Sequence, residues 1–143
     1  MINDDARALE GIEIIDHTAD WAIRVTAADL QALFRLAAEG MALLMVGPGG
    51  SPGAAEVRLV ALEAYDVESL LVAWLGELAY FAERDQFVGR EFEVWAVSPT
   101  ALEASVRGGR SNEIQKHIKA VTYHGLEVRQ TAGGVEATFV FDV

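Results

Sequence analysis

The sequence predicts an α+β fold: one domain spanning residues 1–143, with a mostly antiparallel sheet covered by two amphipathic helices. A length of 143 residues is typical of a single domain with a sizeable core. Two stretches carry apolar residues at the three- and four-residue spacing of helices, and the second half of the chain is a series of strand patterns separated by short turn signals. Consecutive hairpins favour an antiparallel sheet. A parallel βαβ unit in the first half stays open as an alternative strand order.

Both predicted helices begin after an aspartate that is a good N-cap, Asp29 for the first and Asp66 for the second. Their apolar stripes are predicted to form the core: Leu30, Leu33, Phe34, Ala37, Met41, Leu44 and Met45 in the first helix, and Val67, Leu70, Leu71, Trp74, Leu75, Leu78 and Phe81 in the second. The glycine- and proline-rich residues 47–53 end the first helix. They lack the Lys-Ser/Thr pair and following helix of a phosphate-binding loop, so we interpret them as a flexible connector.

Strand patterns occupy most of the remaining sequence. They lie at residues 11–15, 21–26, 55–62, 92–97, 102–106, 118–126, 126–129 and 135–141. Turn signals at residues 98–100 and 132–134 predict two hairpins. Residues 1–10 are expected to be frayed.

Composition and charge narrow the classes of function. The chain has no cysteine, which excludes disulfides, thiolate zinc sites and a cysteine nucleophile. The acidic N-terminal residues do not resemble a secretory signal, and no apolar run approaches the ~20 residues that span a bilayer, so we expect a cytoplasmic protein without a membrane partner. A formal charge of −11 disfavours an extensive nucleic-acid interface and favours a basic protein partner or a bound cation.

Two segments carry side chains suited to chemistry. Residues 16–20 interrupt the first pair of strands and present His17 and Asp20, either as an Asx-type turn or as part of a site held by rigid strands. Residues 118–126 contain Lys119 and His124. Strand alternation would place these two side chains on opposite faces, although an ordinary edge strand with a solvated lysine is the simpler alternative.

Four segments, taken together and in this order, resemble the archease family. They are residues 17–20 (His-Thr-Ala-Asp), residues 66–80 with Trp-Leu-Gly-Glu-Leu, residues 118–124 (Ile-Lys-Ala-Val-Thr-Tyr-His) and residues 141–143 (Phe-Asp-Val). The resemblance extends from about residue 12 to residue 143. It implies a chaperone-like protein cofactor, not an enzyme. Such a cofactor helps an RtcB-type RNA ligase to become guanylylated and turn over in tRNA splicing and RNA repair.

The resemblance also implies roles for particular residues. Asp20 matches the metal-binding aspartate of the family, Asp142 matches the penultimate acidic ligand, and Val143 matches the terminal residue that supplies an oxygen. Lys119 matches the lysine that activates the ligase. Two departures from the family pattern are Ser-Asn-Glu at residues 111–113, where many members have a histidine, and Gly76, where an asparagine is common.

The chemistry of these residues agrees with a metal site. Two carboxylates brought together from the two ends of the chain repel each other unless a cation lies between them. With oxygen ligands from Asp20, Asp142 and Val143, a hard ion fits better than zinc, and Ca²⁺ fits better than Mg²⁺ because it tolerates irregular coordination. His17 is favoured as a donor that braces the loop. Lys119 cannot ligate a cation while charged, so we expect it to face a phosphate or carboxylate of the partner.

The sequence also allows two other classes of function. A small metal-dependent phosphoester hydrolase could use Asp20, Asp142, Lys119 and His124, although no nucleophile motif accompanies them. A nucleic-acid-binding module could use a local basic and aromatic patch of Arg107, Arg110, Lys116, Lys119 and Tyr123, against the overall charge.

Overall fold

The computed structural model describes residues 11–16, 20–47 and 53–143, and these residues form two helices and eight strands. The helices are α1 (Leu30–Val46) and α2 (Val67–Asp85). The strands are β1 (Ile12–Asp16), β2 (Trp21–Ala27), β3 (Glu56–Glu63), β4 (Phe87–Val97), β5 (Ala101–Arg110), β6 (Ala120–Thr122), β7 (Arg129–Thr131) and β8 (Gly134–Asp142).

The strands form two antiparallel sheets. Sheet A has the order β1-β2-β8-β6, and the short strand β7 also pairs with β8. Sheet B has the order β3-β5-β4. Every strand pair is antiparallel, which excludes a parallel βαβ unit among the described residues. Sheet A therefore joins strands from both ends of the chain, whereas sheet B is built from the middle.

Both helices start where the sequence predicts. The Asp29 carboxylate accepts a hydrogen bond from the backbone N–H of Ala32 at 2.9 Å, and Asp66 accepts one from Ser69 at 2.8 Å. Helix α2 ends at Asp85 and is followed by Gln86, whose φ of 56° lies in the left-handed region common after a helix C-terminus. Local capping chemistry thus sets the helix boundaries.

The helices and both sheets share one hydrophobic core. Its largest fully buried side chains include Trp74, Phe34, Phe87, Phe139 and Phe141. The Trp74 indole N–H donates to the Phe34 carbonyl at 2.9 Å, so its polar atom is satisfied within the core and the two helices are joined. Both predicted apolar stripes are confirmed as core, and the α+β fold class is confirmed, with the strands divided between two sheets.

Two strand predictions in the second half are wrong in their bounds. The segment predicted at residues 118–126 contains only the three-residue strand β6, because Ile118 turns into the core and a turn follows, with Gly125 at φ 67°. The strand predicted at residues 126–129 begins only at Arg129. The backbone N–H of Val128 instead donates to the Glu68 carboxylate of α2 at 3.0 Å, so a helix side chain holds the chain there.

Two further sequence predictions, the frayed residues 1–10 and most of the flexible connector at residues 47–53, lie outside the described residues. In the part of the chain that the structure describes, no helix is long and apolar enough to cross a membrane.

Candidate functional site

Three distant parts of the chain meet at one end of sheet A. The backbone N–H of Lys119 donates to the Asp142 carbonyl at 2.7 Å, directly before β6 pairs with β8. Trp21 of β2 pairs with Phe141 of β8, so Asp20 occupies the next register position, opposite Asp142. The topology therefore brings together the three charged residues that the sequence singled out, from positions separated by up to 122 residues.

Strand alternation gives the two aspartates a common face. In β8, Phe141 is buried and Asp142 is exposed, so the Asp142 carboxylate leaves the sheet on the side away from the core. Asp20 is half-buried and directly precedes β2, so continuing the register of the Trp21–Phe141 pair by one residue places it on the same face. The strand register therefore makes these two residues neighbours on one face of sheet A.

Lys119 takes a different position at this end of the sheet. Its exposed side chain lines an open groove of about 500 Å³ between α2 and the residues that lead into β6. The groove is lined by Gly76, Ala79, Tyr80 and Glu83 of α2 and by His117, Ile118, Lys119, Ala120 and Val121. The lysine thus belongs to a surface with an apolar floor, beside the carboxylate pair.

The segment that carries Lys119 is anchored on the far side by α1. The backbone N–H groups of Gln115 and Lys116 donate to the Met45 carbonyl at 2.6 and 3.1 Å, near the helix C-terminus. The Lys116 ammonium lies 4.1 Å from the centre of the Trp21 ring, a cation–π contact next to Asp20 in sequence. Backbone hydrogen bonds therefore hold this segment at two points: residues 115 and 116 are bonded to α1, and Lys119 itself is bonded to β8.

Two features of the groove set its chemistry. His117 Nδ1 lies 3.8 Å from a Glu83 carboxylate oxygen, and both side chains are exposed, so they pair when the imidazole is protonated. Gly76 leaves the floor open, since a Cβ atom built there would meet no atom within 4 Å. A side chain of a partner could enter the groove without displacing a residue of α2.

The donor set at the carboxylate pair suits a hard cation. Asp20, Asp142 and Val143 offer only oxygen atoms, which are the ligands of Ca²⁺ and Mg²⁺. Within residues 11–16, 20–47 and 53–143, no three His, Asp or Glu side chains form a group that could hold a metal ion. An ion bound to this pair would need backbone or water oxygens to complete its shell. The predicted bracing residue His17 lies outside the described residues.

The alternative sites suggested by the sequence are not assembled in the same way. His124 lies in the turn beyond the Thr122–Val140 pair, at a distance along the sheet from Asp142, so the set proposed for a hydrolase does not converge. Arg107 and Arg110 lie on β5 in sheet B, and Arg107 faces Glu91 at 3.9 Å. The predicted basic patch is thus split between the two sheets.

Sequence reasoning missed the groove itself. Gly76, Tyr80 and Glu83 follow each other at four- and three-residue spacing, which places them on one face of α2. That spacing was the available signal. Nothing in the sequence indicates that this helix face lies beside residues 117–121, because their contact depends on the pairing of β6 with β8.

Fold and site together define a small acidic α+β protein in which Lys119 and Asp142 are exposed at one end of sheet A. The sequence model of the Archease protein family (MTH1598/TM1083) matches residues 12–143. The chain therefore belongs to the archease family.

Individual relatives agree with this assignment. The chain is 35% identical to the protein archease of Methanosarcina mazei, over 92% of this chain and 94% of that one. It is also 35% identical to the protein archease of Archaeoglobus fulgidus, over 90% and 96% of the two chains.

Two solved structures share the fold. The solution structure of protein 1598 from Methanobacterium thermoautotrophicum has 29% identity and a TM-score of 0.78, covering 93% of this chain and 99% of that one. A crystal structure from Thermotoga maritima, titled as an archease and possible chaperone, has 19% identity and a TM-score of 0.68, covering 92% and 96%. At 19% identity the second structure shows the fold alone.

Proposed function

We propose that this archease activates an RtcB-type RNA ligase by promoting its guanylylation and multiple turnover, without catalysing a reaction itself. The observation that carries the proposal is the position of Lys119. Its amide is bonded to the Asp142 carbonyl at 2.7 Å, beside the register position shared by Asp142 and Asp20. The residues that the family resemblance singles out thus lie close together at one end of sheet A, where the Lys119 side chain is exposed to a protein partner.

In this proposal, Asp20, Asp142 and an oxygen of Val143 hold a divalent cation, with Ca²⁺ as the preferred ion. The ion would neutralise the two carboxylates and hold the start of β2 to the end of β8. Because the Lys119 amide is bonded to Asp142, a fixed β8 end also fixes the backbone of Lys119. The role of the ion is therefore structural.

Lys119 then supplies the charge that the partner meets. Its ammonium lies in an open groove and donates to a phosphate or carboxylate near the guanylylation site of the ligase. Binding that favours the nucleotide-competent state of the ligase by about 3 kcal/mol would raise the population of a rare state more than a hundredfold. No chemical step by the archease is required.

Three substitutions separate the roles of ion and lysine. Asp20→Ala and Asp142→Ala are expected to lose ion binding and ligase activation together, whereas Lys119→Ala keeps the ion and loses activation. Arg35→Ala is the matched control, because it removes one positive charge from the exposed face of α1. Ion binding is measured by Ca²⁺ calorimetry and by terbium luminescence, for which Trp21 is a sensitiser adjacent to Asp20.

Activation is measured as the initial rate of ligase guanylylation with GTP. Normal activation by an Asp20→Ala protein that no longer binds Ca²⁺ would show that ligase activation does not depend on the bound ion. Normal activation by Lys119→Ala would remove the proposed role of the lysine.

A further inference from the structure

The outer face of sheet B carries exposed apolar side chains along its edge strand β3. Odd-numbered residues of β3 point away from the core, and among them Val57 is 47% and Leu59 is 71% exposed, with Ala61 exposed beside them. Even-numbered residues face inward: Val60 is buried, and Arg58 lies over the Phe81 and Phe87 rings at 4.8 and 4.3 Å. The core contacts of Arg58 and Val60 fix which face of β3 points inward. The apolar stripe of Val57, Leu59 and Ala61 therefore stays on the outer face.

The two edges of sheet B differ in how they are protected from further strand pairing. Edge strand β4 has register irregularities at Gly89/Glu91 and at Val94/Ala96, and the Gln31 side chain of α1 donates to the Val94 carbonyl. Bulges and covering side chains are common means of blocking an edge. Edge strand β3 pairs regularly with β5 over all eight residues, and among the described residues no strand pairs with its other side. It also contains no lysine or proline, and its one inward-facing cation, Arg58, is paired with Asp85 at 2.9 Å and lies over two aromatic rings. The β3 edge is therefore the one left able to accept another strand.

The charge around the stripe is negative. Glu63, Glu91, Glu93 and Glu103 are exposed on the three strands, against two cations, Arg107 and the exposed Arg90 in the bulge beside Glu91. Arg107 lies 3.9 Å from Glu91 and compensates part of that charge. The chain as a whole carries a formal charge of −11, which includes these residues. An occupant of this surface must bring apolar side chains for the stripe and positive charge for the glutamates around it.

A second copy of this chain does not meet that requirement. Consider two β3 strands that pair antiparallel with their outer faces on the same side. If the pairing is centred on Leu59, Glu56 of one copy lies opposite Leu62 of the other. If it is centred on Val60, Glu63 lies opposite Val57. Neither arrangement brings a cation to the glutamates, and both bring together two chains of charge −11.

We propose that β3 is a docking edge for an extended, cationic segment of a partner protein, which adds a strand to sheet B by backbone pairing. Alternate apolar residues of that segment would cover Val57, Leu59 and Ala61, and its lysines or arginines would face the outer glutamates. The surface lies in sheet B, apart from the Lys119 groove beside sheet A, so it can bind a partner independently of ligase activation.

The test uses a set of nine-residue synthetic peptides that alternate Val or Ile with Lys or Arg, with the full-length archease, and fluorescence anisotropy at 150 mM salt. One version of each peptide is N-methylated on the alternate amides along one edge, and its isomer is methylated on the other edge. We expect saturable binding of the unmodified peptides. Methylation on only one of the two edges should weaken binding by at least tenfold, because a strand uses a single edge to pair with β3.

Protein variants locate the binding surface. Leu59→Lys adds positive charge on a side chain that is already 71% exposed, so the fold is expected to tolerate it, and binding should fall at least tenfold. Ile14→Lys makes the same change on the edge strand of sheet A and should leave binding unchanged. Amide exchange should slow on the open edge of β3 when peptide is bound.

Several results would overturn the proposal. One is equal binding of both methylated isomers, which would indicate charge attraction alone. The others are an unchanged affinity of the Leu59→Lys variant for the peptides and the absence of binding by any peptide at 1 mM. Sedimentation showing a dimer of the unliganded protein that Leu59→Lys dissociates would replace the cationic partner with a second copy of the chain.

Discussion

Asp85 at the end of α2 illustrates how a single carboxylate joins a helix to a sheet. It accepts hydrogen bonds from Arg84 at 2.9 Å and from Arg58 of β3 at 2.9 Å. These hydrogen bonds, that of Arg84 first, lower the pKa of Asp85 from 3.8 to about 2. Arg58 in turn covers the Phe81 and Phe87 rings, so the ion pair holds a guanidinium over the edge of the core.

We predict that Asp85→Asn lowers the melting temperature at pH 7 and that its difference from the wild type shrinks in acid. A carboxylate with a lowered folded-state pKa contributes stability above its unfolded pKa of about 4 and loses it as the pH falls towards about 2. Melting curves from pH 7 to pH 2 measure the difference, with Glu77→Gln on the same helix as control. A constant difference across this range would contradict the assignment.

Within the core, the Trp74 indole N–H donates a buried hydrogen bond to the Phe34 carbonyl of the neighbouring helix. Trp74→Phe should lower the free energy of unfolding by about 2–4 kcal/mol, because it removes a buried hydrogen bond and leaves a small cavity. Urea denaturation measures the change. Tyr80→Phe, at a 51% exposed position on the same helix, should cost less than about 0.5 kcal/mol. Similar losses from both substitutions would show that the Trp74 contact is not special.

At the scale of elements, the glycines in the two helices have opposite surroundings. A Cβ atom at Gly76 of α2 would meet nothing within 4 Å, whereas one at Gly40 of α1 would lie 2.9 Å from Ile23 Cδ1 and 3.1 Å from Ile12 Cγ2. Gly40 therefore lets β1 and β2 approach the helix. No neighbouring atom requires a glycine at position 76, and the absence of a side chain there leaves the Lys119 groove open.

Gly76→Ala is predicted to raise the free energy of unfolding by about 0.5–1 kcal/mol, since it removes backbone freedom from the unfolded chain without a clash. Gly40→Ala is the matched control and should lower it, because the new methyl group displaces two isoleucines. Thermal and urea denaturation measure both. Destabilisation by Gly76→Ala would mean that this side of α2 is less open than described.

The elements also show how far the sequence alone could lead. Helix starts at Asp29 and Asp66 were predictable because N-capping is local. The length of β6 was not, because it depends on how much of the segment finds a partner in β8, and Ile118 instead packs into the core. For the site, residue types drew attention to the segments with Asp20 and Lys119, and only the family resemblance added Asp142. The groove beside Lys119 could not be predicted, since it exists only where α2 lies next to that segment.

At the scale of the whole molecule, two surfaces are separated by the shared core. The end of sheet A carries the carboxylate pair and the Lys119 groove, and the edge of sheet B carries an apolar stripe among glutamates. Because the chain has a formal charge of −11, its binding to a basic protein at either surface should weaken as added salt screens the electrostatic attraction. Titration of a partner between 50 and 500 mM salt tests this expectation. Affinity that does not change with salt would assign recognition to apolar contacts alone.

The proposed ligase activation is measured by multiple-turnover RNA ligation with a cognate RtcB-type ligase, GTP and Mn²⁺, with and without this archease. We predict that substoichiometric archease raises both ligase guanylylation and the number of turnovers, and that the Lys119→Ala variant does not. Unchanged turnover with the cognate ligase across a range of archease concentrations would contradict the proposed function.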